Sequence, residues 1–132
     1  MAQERNRLVI IDTDILIKIF RGDEEKRKIV KSLDERAAIS VITAMELYVG
    51  VKSRRRLYEL TKQLKAVKIF EVIPEVSAIA FKLVKKYNIA HLLYPADALI
   101  AATAKKNMFP LYTDNLGDYS FITELQLFQP NL

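Results

Sequence analysis

The chain has 132 residues, 51% of them hydrophobic, with 3 Gly, 4 Pro and no Cys. That suits a single domain over 1–132 with a core of its own, and excludes a disordered or collagen-like chain, a disulfide scaffold, a thiol nucleophile and any Cys-ligated metal site. Its 21 Lys and Arg against 16 Asp and Glu leave a formal net charge of +5, which favours an anionic partner such as nucleic acid.

Residues 1–7 include Glu4 and lead into only four apolar residues, so the start does not read as a secretory signal. The apolar runs fall far short of the roughly 18 residues that span a bilayer. A soluble cytoplasmic protein with no membrane association is expected.

In chain order, Leu8-Val9-Ile10-Ile11 is a fully apolar run ending at Asp12. Such a run suits a strand covered on both faces, as in a parallel sheet. Residues 23–35 read as a charged helix with Ile29, Val30 and Leu33 inward, and 37–42 as a second strand. Residues 43–53, then Leu57, Leu60, Leu64 and Val67, predict one broken helix or two, and 68–73 a third strand.

Val76, Ile79, Ala80, Leu83, Val84 and Tyr87 recur at helical spacing, with Lys82, Lys85 and Lys86 on the opposite face. Residues 96–106 follow Pro95, a favoured first-turn residue, and are so rich in Ala, Leu and Ile that most faces of the helix must be buried. Segments 110–113 and 125–128 complete five strands. Strands alternating with helices imply right-handed βαβ units, and so an α/β fold.

In open α/β sheets ligands bind at the carboxyl ends of the strands. Acids recur at these places: Asp12 and Asp14 after the first run, Glu46 after the second, Asp97 at the start of the Ala-rich helix, and Asp114 and Asp118 after the fourth. Each has a local explanation. Thr43 and Glu46 have capping-box spacing, Asp97 could complement a helix dipole, Asp12 or Asp14 could cap a helix, and Asp118 could stabilise a turn after Gly117. Together, several carboxylates in an apolar pocket would repel one another unless a cation lay between them. With no Cys and one His, a hard oxygen-seeking ion, Mg²⁺ or Mn²⁺, is the natural candidate.

Four segments resemble the PIN-domain family, especially VapC-like ribonuclease toxins of type II toxin–antitoxin pairs. They are Val9-Ile10-Ile11-Asp12-Thr13-Asp14, the stretch from Ile39 to Val51 around Glu46, Asp97-Ala98-Leu99-Ile100-Ala101-Ala102, and Leu111-Tyr112-Thr113-Asp114-Asn115-Leu116-Gly117-Asp118-Tyr119. The resemblance implies a three-layer α/β/α, Rossmann-like fold around a mainly parallel sheet of about five strands. It also implies Mg²⁺-dependent endoribonuclease activity (Mn²⁺ substituting), an RNA substrate, a homodimer and an antitoxin partner.

Carried over by motif, Asp12, Glu46, Asp97 and Asp118 become the catalytic and metal-holding acids, Glu46 directly or through water. Asp114 is the alternative fourth acid, because Asn115 occupies one of the family's positions for it. Tyr119 stands where Phe is commoner.

Around these, Asp14 is either an auxiliary acid or a cap, and Thr13 and Thr113 either serve the site or bond local backbone. Lys52, Arg54, Arg55 and Arg56 form the densest basic cluster, an RNA or antitoxin contact or else a solvated helix junction. His91 precedes the Ala-rich helix with no motif placing it near the acids, and Leu47 and Tyr48 suit core or dimer contacts. Two alternatives stay open. One is a non-catalytic PIN-like module binding RNA or protein. The other is a haloacid-dehalogenase-like phosphatase beginning with Asp12-Thr13-Asp14, although Ile15-Leu16-Ile17 follows in place of the usual Gly-Thr.

Overall fold

Strand β1 (Val9–Ile11) lies inside the sheet of the computed structural model, which describes residues 7–130. The opening read for a secretory signal falls largely in 1–6, outside the described residues. Val9 and Ile11 face one layer and Ile10 the other, all essentially buried, which is why the run shows no polar alternation.

After β1 come α1 (Thr13–Phe20) and α2 (Glu24–Leu33), a 3-10 turn and β2 (Ala37–Ser40). Then follow α3 (Val41–Val49), α4 (Arg54–Leu64) and β3 (Lys68–Phe70). The rest is α5 (Pro74–Tyr87), α6 (Pro95–Asn107), β4 (Leu111–Tyr112) and the short α7 (Leu116–Tyr119).

The sheet order is β3-β2-β1-β4, all parallel, with Val9 opposite Ala37, Ile10 opposite Leu111 and Ile39 opposite Ile69. Val9, Ile11, Ile39 and Tyr112 pack against the first four helices, while Ile10, Ala38 and Leu111 pack against the last three. The result is the expected three-layer α/β/α sandwich. The chain moves outward from β1 to β3 and then returns past β1 to β4. The helices change face there, as right-handed crossovers in opposite directions require.

The structure corrects two strand boundaries and the strand count. The second strand stops at Ser40, whose hydroxyl accepts from Ile42 N at 3.0 Å and caps α3, so Val41 and Ile42 enter the helix. The third strand ends at Phe70, short of residue 73. Among the described residues the sheet has four strands, not about five. Leu127 makes only an isolated bridge to Leu111, because β4 is two residues long before the chain leaves the sheet at Thr113. The broken-or-two-helices segment resolves into two, α3 and α4.

Helix α6 is buried on several faces, with Ala98, Ile100, Ala101, Ala102, Thr103 and Ala104 all out of solvent. Alanine here lets the helix lie close to both the sheet and α5. Ala101→Leu is therefore expected to destabilise by about 2 kcal/mol or more through overpacking. Val49→Ala, at an 87% exposed position, should stay within about 0.5 kcal/mol. Urea unfolding midpoints compare the two.

Candidate active site

The strand order reverses between β1 and β4, and in doubly wound sheets the crevice beyond the carboxyl ends at such a reversal is where ligands bind. Asp12 directly follows β1 there, 3% exposed. Its Oδ1 accepts from Thr13 N at 2.8 Å, capping α1, and its Oδ2 accepts from the Thr113 hydroxyl at 2.8 Å, beyond β4. The Asp12 backbone N–H donates to Tyr112 O at 2.9 Å, so the sheet itself sets the position of the side chain. Burial pushes the Asp12 carboxyl up to about 7, and the charge of Asp14 adds to this, while the Thr113 and Thr13 bonds oppose it.

Asp97 reaches the same crevice from the first turn of α6. Burial raises its pKa, the Tyr119 bond pulls it down, and the charges of Asp118, Glu46 and Asp14 push it up again. The Tyr119 hydroxyl lies 3.3 Å from Asp12 Oδ1 and 3.2 Å from Asp97 Oδ1. Burial, then the charges of Asp12 and Asp97, hold this phenol far above its ordinary range, so it stays protonated.

Glu46, exposed on α3, is tied in by the Thr13 hydroxyl, 2.6 Å from its Oε1 and 3.0 Å from Thr43 Oγ1. Thr43 is buried within the first turn of α3, not at its N-cap, so the capping-box explanation of Glu46 fails. Asp14 receives the Asp114 backbone N–H on Oδ2 at 3.0 Å, while its Oδ1 is buried with no hydrogen-bond partner.

Asp114 itself turns to the ammonium groups of Lys18 and Lys26, at 2.7 and 2.8 Å. Burial alone would raise its pKa, but the two lysines outweigh that and lower it. Of the two possible fourth acids, Asp114 is thus neutralised on α1 and α2, and Asp118 is the one whose charge is felt by Asp97. Asn115 contributes its backbone N–H to Thr113 Oγ1 at 2.9 Å.

The donor chemistry fits a hard divalent cation. The oxygens are carboxylates, burial penalises their ionised forms, and one buried oxygen of Asp14 has no hydrogen-bond partner. The set is not pre-assembled: among the described residues, no three Asp, Glu or His groups converge as a ligand cluster. Of its members Glu46 is exposed and Asp118 half-buried.

The basic cluster divides. Lys52 and Arg56, with Arg21 and Arg27, line a groove of about 470 Å³ between α1, α3 and α4, and Glu46 is the one acid of the site on its wall. Arg55 pairs with Glu59 at 3.2 Å, and Arg54 is exposed at the start of α4. His91 stacks on Phe121 at 3.9 Å and also meets the Tyr87 ring. Leu47 is core, and the Tyr48 hydroxyl bonds Thr61 at 2.8 Å. The sequence marks Tyr119 only as standing where Phe is commoner, and its placement between two acids comes from the tertiary structure. The available signal was a phenol in place of a phenyl beside an acidic motif.

A pH prediction follows from Asp12. Its carboxyl keeps a proton up to about pH 7 when folded, against 3.8 ordinarily, so between those values the folded chain holds protons that the unfolded chain releases. Stability without metal should therefore fall as pH rises through that window, and the raised Asp97 adds to it with the same sign. Asp12→Asn should flatten the dependence and raise Tm at pH 8 by roughly 3–6 °C, measured by thermal melts from pH 4 to 8.

The family model of the PIN domain matches residues 9–116. A chain of a toxin–antitoxin complex from Klebsiella pneumoniae is 28% identical, with a TM-score of 0.79, covering 93% of this chain and 98% of that one. DNA-bound VapBC from Salmonella typhimurium superposes with a TM-score of 0.83 at 21% identity, covering 92% and 97%. VapBC2 from Rickettsia felis, bound to a promoter DNA fragment, gives 0.81 at 22%, covering 94% and 99%. A search of curated proteins found no match. The match over 9–116 supports the PIN-like readings and gives the haloacid-dehalogenase-like alternative no support. With its opening strand, its acid-led helix and the start of its closing motif inside the matched span, the chain belongs to the PIN-domain family.

Proposed function

We propose that this protein is the toxin of a toxin–antitoxin pair and acts as a Mg²⁺- or Mn²⁺-dependent endoribonuclease. The observation that carries this is the buried Asp12, beside Asp14 and joined through Tyr119 to Asp97, at the reversal of strand order. Burial that penalises ionisation of Asp12 and Asp97 supports a cation as the partner that would offset their charge. The toxin assignment draws on the solved relatives, one named as a toxin–antitoxin complex and two as VapBC. An antitoxin partner, a homodimer and action in the cytoplasm belong to the same proposal.

In this scheme Asp12 and Asp97 would hold the ion, with Glu46 and Asp118 as the further acids of the set. When bound, the ion supplies Lewis acidity, lowering the pKa of a coordinated water and offsetting charge on a phosphodiester oxygen. Thr13 and Thr113 fix the direction of the Asp12 oxygens. Glu46 Oε1 is engaged by Thr13, which leaves Oε2 to orient an attacking water. The cationic groove with Lys52, Arg56, Arg21 and Arg27 lies beside Glu46 and suits an RNA backbone. Arg54, Arg55 and Arg56 begin α4 with no acid in its first turn. Cations there oppose the helix dipole, a local cost that a bound polyanion offsets.

The test is a broad RNA pool incubated with Mn²⁺, comparing wild type with Asp97→Asn. Cuts leaving 5′-phosphates, reduced ~10³-fold or more in a folded variant, are expected. Undiminished cleavage by Asp97→Asn would remove the assignment. RNA binding without cleavage, and with no Mn²⁺-dependent rise in Tm, would point instead to a non-catalytic module. For the fourth acid, calorimetric titration should find that Asp118→Asn weakens Mn²⁺ binding more than Asp114→Asn does. The latter should lose only about 1 kcal/mol or less of stability, the range of a partly exposed ion pair.

A further inference from the structure

Resting on the metal-dependent reading above, we propose that Tyr119 is a positioning residue for the ion: its hydroxyl holds the Asp12 and Asp97 carboxylates turned toward one another. Asp12 comes from the end of β1 and Asp97 from the first turn of α6, elements that meet only through tertiary packing. Tyr119 Oη stands between them, 3.3 Å from Asp12 Oδ1 and 3.2 Å from Asp97 Oδ1. One phenol carries one proton, so neither carboxylate takes the whole bond, and both oxygens are drawn to the same point.

Packing, and not these bonds, places the ring. Tyr119 is fully buried in the core cluster that includes Ile100, Ala101 and Ile122. A phenyl would occupy the same volume, so the fold does not require the hydroxyl. What it adds is an anchor for two acids from separate elements. Thr113 and Thr13 orient Asp12 from its other sides, but among the described residues the Tyr119 hydroxyl is the side-chain donor found on Asp97. Without it Asp97 is free to rotate about its side-chain bonds, and the ion must pay that ordering entropy on binding. Groups that orient metal-binding side chains in this way typically change affinity 10–100-fold.

The experiment is calorimetric Mn²⁺ titration of Tyr119→Phe beside wild type, with thermal melts of both metal-free proteins. Mn²⁺ affinity should fall about tenfold or more, while the metal-free Tm stays within a few degrees. RNA cleavage should fall at limiting Mn²⁺ and recover at saturating Mn²⁺, as a defect in ion binding predicts. Unchanged affinity would make the hydroxyl a merely structural partner, and tighter binding would make it a competitor of the ion; either result overturns the proposal. Wild type that binds Mn²⁺ equally well as Tyr119→Phe leaves the nuclease reading standing. Wild type that neither binds Mn²⁺ nor cuts RNA removes both. Should Tyr119→Phe fail to fold, fluorotyrosine placed at position 119 retains the hydroxyl. Its ¹⁹F resonance should then shift on Mg²⁺ saturation, and a resonance that stays put would overturn the proposal.

Discussion

Asp12 directly follows an interior strand with its side chain almost out of water, and an ionised carboxylate there loses hydration that the Thr13, Thr113 and Tyr119 donors only partly replace. Much of the surrounding architecture answers to that constraint. The Asp12 backbone is pinned to β4, its Oδ1 begins α1, and its Oδ2 holds the loop that leaves β4. The same carboxylate therefore caps a helix, fixes a loop and concentrates negative charge. A helix cap alone would work as well half-exposed. Burial beside Asp14 is what turns the cap into a candidate ligand.

Around Asp12 the remaining acids differ in how they are held. Asp97 is carried by α6, whose alanines let that helix lie deep in the molecule. Glu46 sits on a shorter, more exposed helix and is steadied by a threonine pair. Asp114 is spent on two lysines, which removes it from the cluster electrostatically even though it lies four residues from Asp118. The groove toward α4 adds positive charge next to Glu46 only. The acidic crevice and the basic groove thus share Glu46.

Parts of this were legible in the residues alone. The apolar run before Asp12 has no polar alternation because both its faces are covered, and the alanine content of α6 reports burial directly. Other parts misled. Val41 and Ile42 are β-branched and continue an apolar run, yet the Ser40 hydroxyl starts a helix there. Thr43 and Glu46 match a capping box in spacing, yet Thr43 lies inside the helix and bonds Thr13 across to α1. The fifth strand failed because strand length depends on the partner, and β4 offers only two residues.

By itself the sequence determined the class of fold, the order of the four strands with most of the helices between them, and the acids beyond the strand ends, because hydrophobic period and local turn chemistry are properties of neighbours along the chain. Only the tertiary structure decided which acids share a crevice. Lys18 and Lys26 reach Asp114 across about ninety residues of chain, and Tyr119 joins Asp12 to Asp97 across a packed core. Those pairings depend on how helices dock on the sheet and on which side chains lose water when they do. No local pattern encodes that.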